Sequence, residues 1–136
     1  MPDTIRIDRD DRGVATLWLA RAEKHNALSR PMMDELTQAA ADLGADSSVR
    51  VVVLAAEGGS FCAGGDLGWM REQMAADDAT RREGAQALAG RLSALNLLPK
   101  PLIARVQGNA FGGGVGMMAV SDVVVAADTA RFGLPS

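Results

Sequence analysis

The sequence predicts an α/β layered domain, on three observations. Short apolar, β-branched runs recur at Val49 to Ala55, Leu102 to Val106 and Val123 to Ala127. Helical periodicity separates them, and two glycine-rich turns follow two of the runs directly. Those turns are Phe61-Cys62-Ala63-Gly64-Gly65-Asp66-Leu67 and Gly108-Asn109-Ala110-Phe111-Gly112-Gly113-Gly114. In layered α/β folds, ligands gather at the carboxyl ends of strands, where both turns lie.

In chain order, Ile5 to Asp8 and Val14 to Leu19 read as strands joined by the polar turn Arg9 to Gly13. Arg21 to Leu28 is a polar connection. Ser29 caps a helix with Pro31 in its first turn and Asp34 and Glu35 near its positive end. Met32, Leu36, Ala39, Ala40 and Leu43 share one face of it, and Gly44 is expected to end it. Val49 to Ala55 reads as a strand covered on both faces. In the long stretch from Leu67 to Leu98, Leu88, Leu92 and Leu95 recur at helical spacing, and Pro99 stops the helix. Leu102 to Val106 is a strand, Gly114 to Val120 a helix and Val123 to Ala127 a further buried strand. No internal repeat or low-complexity linker is visible. The apolar ending, Arg131 to Ser136, reads as a fold cut short or completed by another chain.

Composition narrows the function. With 136 residues, 48% hydrophobic and 23% charged, the chain suits a single globular domain, here 1–136. A net charge of −3 and only 4% aromatics without Tyr argue against nucleic acid or an anionic membrane as partner. Cys62 and His25 are the sole residues of their types, so no intrachain disulfide, Cys cage or multi-His metal site is expected. The N-terminus has no apolar signal core and no run approaches about 18 apolar residues, so a cytoplasmic location is expected.

The glycine turns admit several readings. A phosphate-binding P-loop needs Lys and Ser/Thr after its last glycine; Gly108 and Gly113 have the spacing, but Gly114 and Val115 follow. A dinucleotide fingerprint fits at Gly112 and Gly114 and fails at Met117. Glycines can also serve only tight helix–strand packing. Two turns in matching positions can instead aim two backbone N–H groups at one point, which is an oxyanion hole suited to acyl or thioester chemistry. Asp66 sits where an N-cap would, with a catalytic role as the alternative. Cys62 reads as a small buried hydrophobe and His25 as a loop residue, with a contribution to the site as the alternative for His25. Arg71, Arg81 and Arg82 read as solvated charges. Lys24 is the best candidate to meet a substrate phosphate, because its loop precedes a helix N-terminus.

Taken together, Ala22-Glu23-Lys24-His25-Asn26-Ala27-Leu28, Val49 to Leu54 running into Phe61 to Leu67, Pro99 to Ala104, Gly108 to Gly114, Ser121-Asp122 and Ala130 to Pro135 resemble the crotonase superfamily, the enoyl-CoA hydratase/isomerase group. The match covers nearly the whole chain and about the first half of a usual member. It implies a crotonase-like spiral of β-β-α units, without the usual C-terminal helical part, that binds an acyl-CoA thioester in a groove. It also implies that Gly65 and Gly113 supply the oxyanion-hole N–H groups. Lys24, Ala63, Gly65, Asp66, Leu67, Gly112 and Gly113 fall at positions meeting CoA or substrate. Homotrimers or hexamers are implied, with no cofactor beyond the CoA of the substrate. Two positions depart from typical hydratases, where glutamates stand at the places of Gly116 and Ser136; some relatives also carry glycine at the first. The Leu67 to Arg71 segment is similar, more weakly, to branched-chain members acting on methylglutaconyl-type thioesters. A truncated or non-catalytic acyl-CoA binder is the alternative function, and a nucleotide-binding α/β domain a third.

Overall fold

A computed structural model describes residues 3–75, 77–79, 82–83 and 93–133. β1 (Ile5–Arg9) and β2 (Val14–Leu19) form an antiparallel hairpin. The Asp10 carboxylate closes its turn by accepting the N–H groups of Arg12 and Val14. β2 then pairs in parallel with β3 (Val51–Ala56), β3 with β5 (Leu102–Val106) and β5 with β7 (Val123–Ala126). The result is a five-stranded sheet ordered β1-β2-β3-β5-β7. Three shorter strands, β4 (Ser60–Cys62), β6 (Asn109–Phe111) and β8 (Phe132–Gly133), form a second, parallel sheet ordered β4-β6-β8.

The two sheets reveal a repeat that the residues do not spell out. Each of the pairs β3–β4, β5–β6 and β7–β8 gives one strand to each sheet. Helix α2 (Leu67–Ala75) follows the first pair and α3 (Gly113–Ala119) the second. This is a spiral of β-β-α turns. Each segment read as a glycine turn therefore takes in a short strand, and Gly64–Gly65 and Gly112–Gly114 come after β4 and β6, not directly after the long strands. Alternation in β2 sends Ala15, Leu17 and Leu19 into the core beside Val52, Leu54, Leu102 and Ala104.

Helix α1 (Arg30–Ala45) lays Met32, Met33, Leu36, Ala39, Ala40 and Leu43 on this core. Ser29 Oγ accepts the Met32 N–H at 3.3 Å, which makes it the N-cap. Gly44 does not end the helix; Asp46 is the C-cap. The glycine serves close approach instead, since a Cβ there would stand 3.1 Å from Pro99 Cδ. The terminal carbonyls are met by Lys100 Nζ, which donates to Leu43 O at 2.7 Å and to Asp46 O. A cation at that end also complements the helix dipole.

Two strand expectations change. β3 begins at Val51, because Val49 N–H turns back to Asp46 O and Arg50 N–H goes to Gly13 O. β7 is exposed rather than buried, with Val123 52% and Val125 58% accessible. Among the described residues it is the outermost strand of its sheet, and apolar composition alone does not reveal whether another element covers it. Residues 93–96 are helical and Leu95 is buried, whereas Leu88, Leu92, Arg81 and the end from Leu134 to Ser136 lie outside the described residues. Arg71 and Arg82 are exposed, as expected.

The Lys100 contacts predict that Lys100→Ala lowers unfolding free energy by about 1–2 kcal/mol in urea titrations. An unchanged midpoint would show that the ammonium adds nothing to α1.

Candidate active site

β4 and β6 run parallel, with Ser60 opposite Asn109 and Cys62 opposite Ala110. Both glycine turns thus leave the same end of the second sheet. Gly64 has φ +97°, a conformation that side chains resist. A Cβ built there would lie 3.2 Å from Phe111 O and 4.0 Å from Gly112 Cα, so the turns lie side by side. Gly114 permits the same closeness from the other direction. Its Cβ would meet Cys62 O at 2.8 Å, forcing α3 away from β4.

Leu28 joins the turns. Its N–H donates to Gly64 O at 2.6 Å, and its carbonyl accepts the Asp66 N–H at 2.8 Å. In such a parallel bridge the intervening residue directs its own N–H to the opposite side. Planarity of the trans peptide gives the same result: with Gly64 O facing Leu28, the Gly65 N–H faces away. Among the described residues no backbone carbonyl accepts it. The Leu28 side chain, buried, packs behind Gly113, where an added Cβ would stand 2.4 Å from Leu28 Cδ1. Gly113 opens α3, so its N–H precedes the first intrahelical bond, made by Gly116 N–H to Gly112 O.

Beside the turns lies a cavity of about 460 Å³ lined by Ala63, Gly64, Gly65, Met70, Phe111, Gly112 and Gly133. β8 closes one side, through Gly112 N–H to Gly133 O at 3.0 Å. Of the residues singled out in the sequence, Ala63, Gly65 and Gly112 line this cavity; Gly113 follows Gly112 in the chain and is not part of the lining. Leu67 opens α2. Lys24 ends a 3-10 turn (Ala22–Lys24), exposed and apart from the lining. Gly116 sits inside α3 and brings no side chain. Ser136 is outside the described residues. Asp66 directly precedes α2, its carbonyl accepting the Met70 N–H, while its carboxylate takes a bond from Arg21 Nη2 at 3.0 Å.

Arg21 and Asn26 are the residues that sequence reasoning missed. Asn26 is fully buried, accepts the Arg21 N–H at Oδ1, and donates from Nδ2 to Glu57 O and Ser60 O. The signal in the sequence was an asparagine in a tight polar connection, since Asn tolerates the positive φ that the structure gives His25 and Asn26 better than most residues. His25 Nδ1 lies 3.1 Å from Ser60 Oγ, and His25 O accepts the Ala63 N–H. The loop is thereby fastened to the start of the first turn. Among the described residues, no cluster of three His, Cys, Asp or Glu could hold a metal.

A family profile described as enoyl-CoA hydratase/isomerase matches residues 9–136. The chain belongs to the enoyl-CoA hydratase/isomerase family. It is 37% identical over 133 residues to a probable enoyl-CoA hydratase of Mycobacterium tuberculosis, covering 98% of this chain and 49% of that protein. An enoyl-CoA hydratase structure from Shewanella pealeana superposes with a TM-score of 0.92 at 36% identity, over 96% of this chain and 49% of that one. One from Mycobacterium smegmatis gives 0.89 at 42% identity, over 96% and 50%. The chain thus spans about half the length of these family members. Among the described residues, no helix is long and apolar enough to cross a membrane.

Within this family member Cys62 is structural. Burial pushes its thiol up to about 11 from an ordinary 9.0, so the neutral form prevails at physiological pH. The folded state resists losing this proton more than the unfolded state does. The stabilisation is complete below about pH 9 and lost as pH rises through about 11. Stability profiles should therefore fall more steeply across that window in the parent protein than in Cys62→Ala, after correction for its lower plateau. Parallel profiles would contradict a buried thiol.

Proposed function

We propose that the protein acts on an enoyl-CoA or related acyl-CoA thioester, holding the thioester oxygen with the N–H groups of Gly65 and Gly113. The observation that carries this reading is the Gly64–Gly65 peptide, whose N–H is turned away from Leu28 on a residue that lines the cavity. As a nucleophile adds to an enoyl thioester, or a proton leaves the acyl chain, negative charge collects on the carbonyl oxygen. Fixed donors aimed at that oxygen stabilise the enolate more than the ground state, which is what lowers a barrier. Loss of one such donor typically costs about 3–4 kcal/mol.

On this reading Ala63, Asp66, Leu67 and Gly112 border the bound thioester, and Lys24 meets CoA phosphate from its exposed position. The working form is a homotrimer or hexamer, cytoplasmic, serving fatty acid metabolism with CoA arriving as part of the substrate. Gly116 favours a second reading. It cannot move a proton, so an acyl-CoA binder without turnover fits the same groove.

Gly65→Pro removes the donor at its source. Loss of enoyl absorbance from crotonyl-CoA should slow by about 100- to 1,000-fold in a protein with native circular dichroism. Parent-level turnover would refute the donor assignment. CoA thioester binding without any turnover by the parent protein would favour the binder.

A further inference from the structure

We propose that Arg21 is a positioning residue that fixes the direction of the Gly65 N–H; the proposal rests on the thioester reading above. The donor belongs to a Gly–Gly peptide, the linkage with least intrinsic resistance to rotation. Its orientation must therefore be imposed from outside. The Leu28 bridge supplies part of that constraint, and the Arg21 guanidinium braces both sides of the bridge. Nη1 donates to Ala27 O at 2.7 Å, next to Leu28, and Nη2 donates to Asp66 Oδ2 at 3.0 Å, next to Gly65.

The brace is itself anchored. Arg21 N–H donates to Asn26 Oδ1 at 2.8 Å, while Arg21 O accepts the N–H groups of Lys24 and Asn26. The Arg21 and Asp66 side chains are only 15% and 21% exposed, so water competes weakly for the pair. A planar fork reaches a carbonyl and a carboxylate together; one lysine ammonium does not reproduce that geometry. Arg21 lies apart from the cavity lining, so it acts through Ala27 and Asp66 rather than on substrate.

The test compares the parent protein with Arg21→Lys and Arg21→Gln, using crotonyl-CoA turnover and amide hydrogen exchange. Misaligning a donor by a fraction of an ångström to one ångström lowers kcat by about 10- to 100-fold, with KM within about twofold. Faster exchange at the Leu28 and Asp66 amides should accompany it. Arg21→Lys should fall between Gln and parent. Unchanged kcat in folded variants overturns the proposal, as does raised KM at parent kcat, which would assign Arg21 to binding. If the parent protein turns over no enoyl-CoA, the thioester reading fails separately, and the exchange data still decide: parent-like protection in Arg21→Gln overturns the brace. If Arg21→Gln does not fold, the comparison of Arg21→Lys with the parent protein carries both readouts.

Discussion

The Leu28 backbone exchanges two hydrogen bonds with the turn after β4, and most of the site's geometry follows from that exchange. It ties the Ala22 to Leu28 loop to the second sheet and turns the Gly65 N–H outward. The same residue's side chain fills the space behind Gly113, so one leucine touches both glycine turns. Such a junction tolerates little. It requires glycine in front of the leucine and positive φ at Gly64, and the His25 and Asn26 backbone must also take left-handed values. Asn26 fastens the loop by donating to two carbonyls, Glu57 O and Ser60 O, the second of which it shares with Gln107 Nε2.

Around this junction the two sheets divide the labour. The long strands of the first sheet bury Leu17, Leu19, Val52, Leu54 and Leu102 and supply the apolar burial. The short strands of the second sheet contribute little area and set direction. With β4, β6 and β8 parallel, successive turns emerge at one end, where the cavity lies. Gly114 lets α3 close onto Cys62, and that packing leaves the thiol buried and protonated. On the proposed reading, chemistry at this site rests on main-chain groups, which substitutions reach only by disturbing the backbone.

Much of this was legible in the residues. Val14 to Leu19 and Leu102 to Val106 announce strands by β-branched content and alternation, and both limits match the structure. Ser29 and Pro31 mark the start of α1, and glycine spacing marks the turns. Three things were hidden. Strands as short as Ser60–Cys62 have no periodicity to detect. The exposure of β7 depends on what lies beside it, which local composition does not encode. The Arg21–Asp66 pair joins residues 45 positions apart, and tertiary links such as the Leu28 bridge and the Asn26 amide bring them together. Gly44 misled because a glycine near a helix end serves a C-cap and a close contact equally well.

On the proposed reading, a thioester oxygen meets directed main-chain donors beside Leu28. Difference infrared spectroscopy of crotonyl-CoA, isotope-labelled at the thioester carbonyl and bound to the protein, tests it most directly. Donors aimed at the oxygen should polarise the bond and move its stretch below the value in water. A bound carbonyl that absorbs at or above its aqueous position would contradict the account.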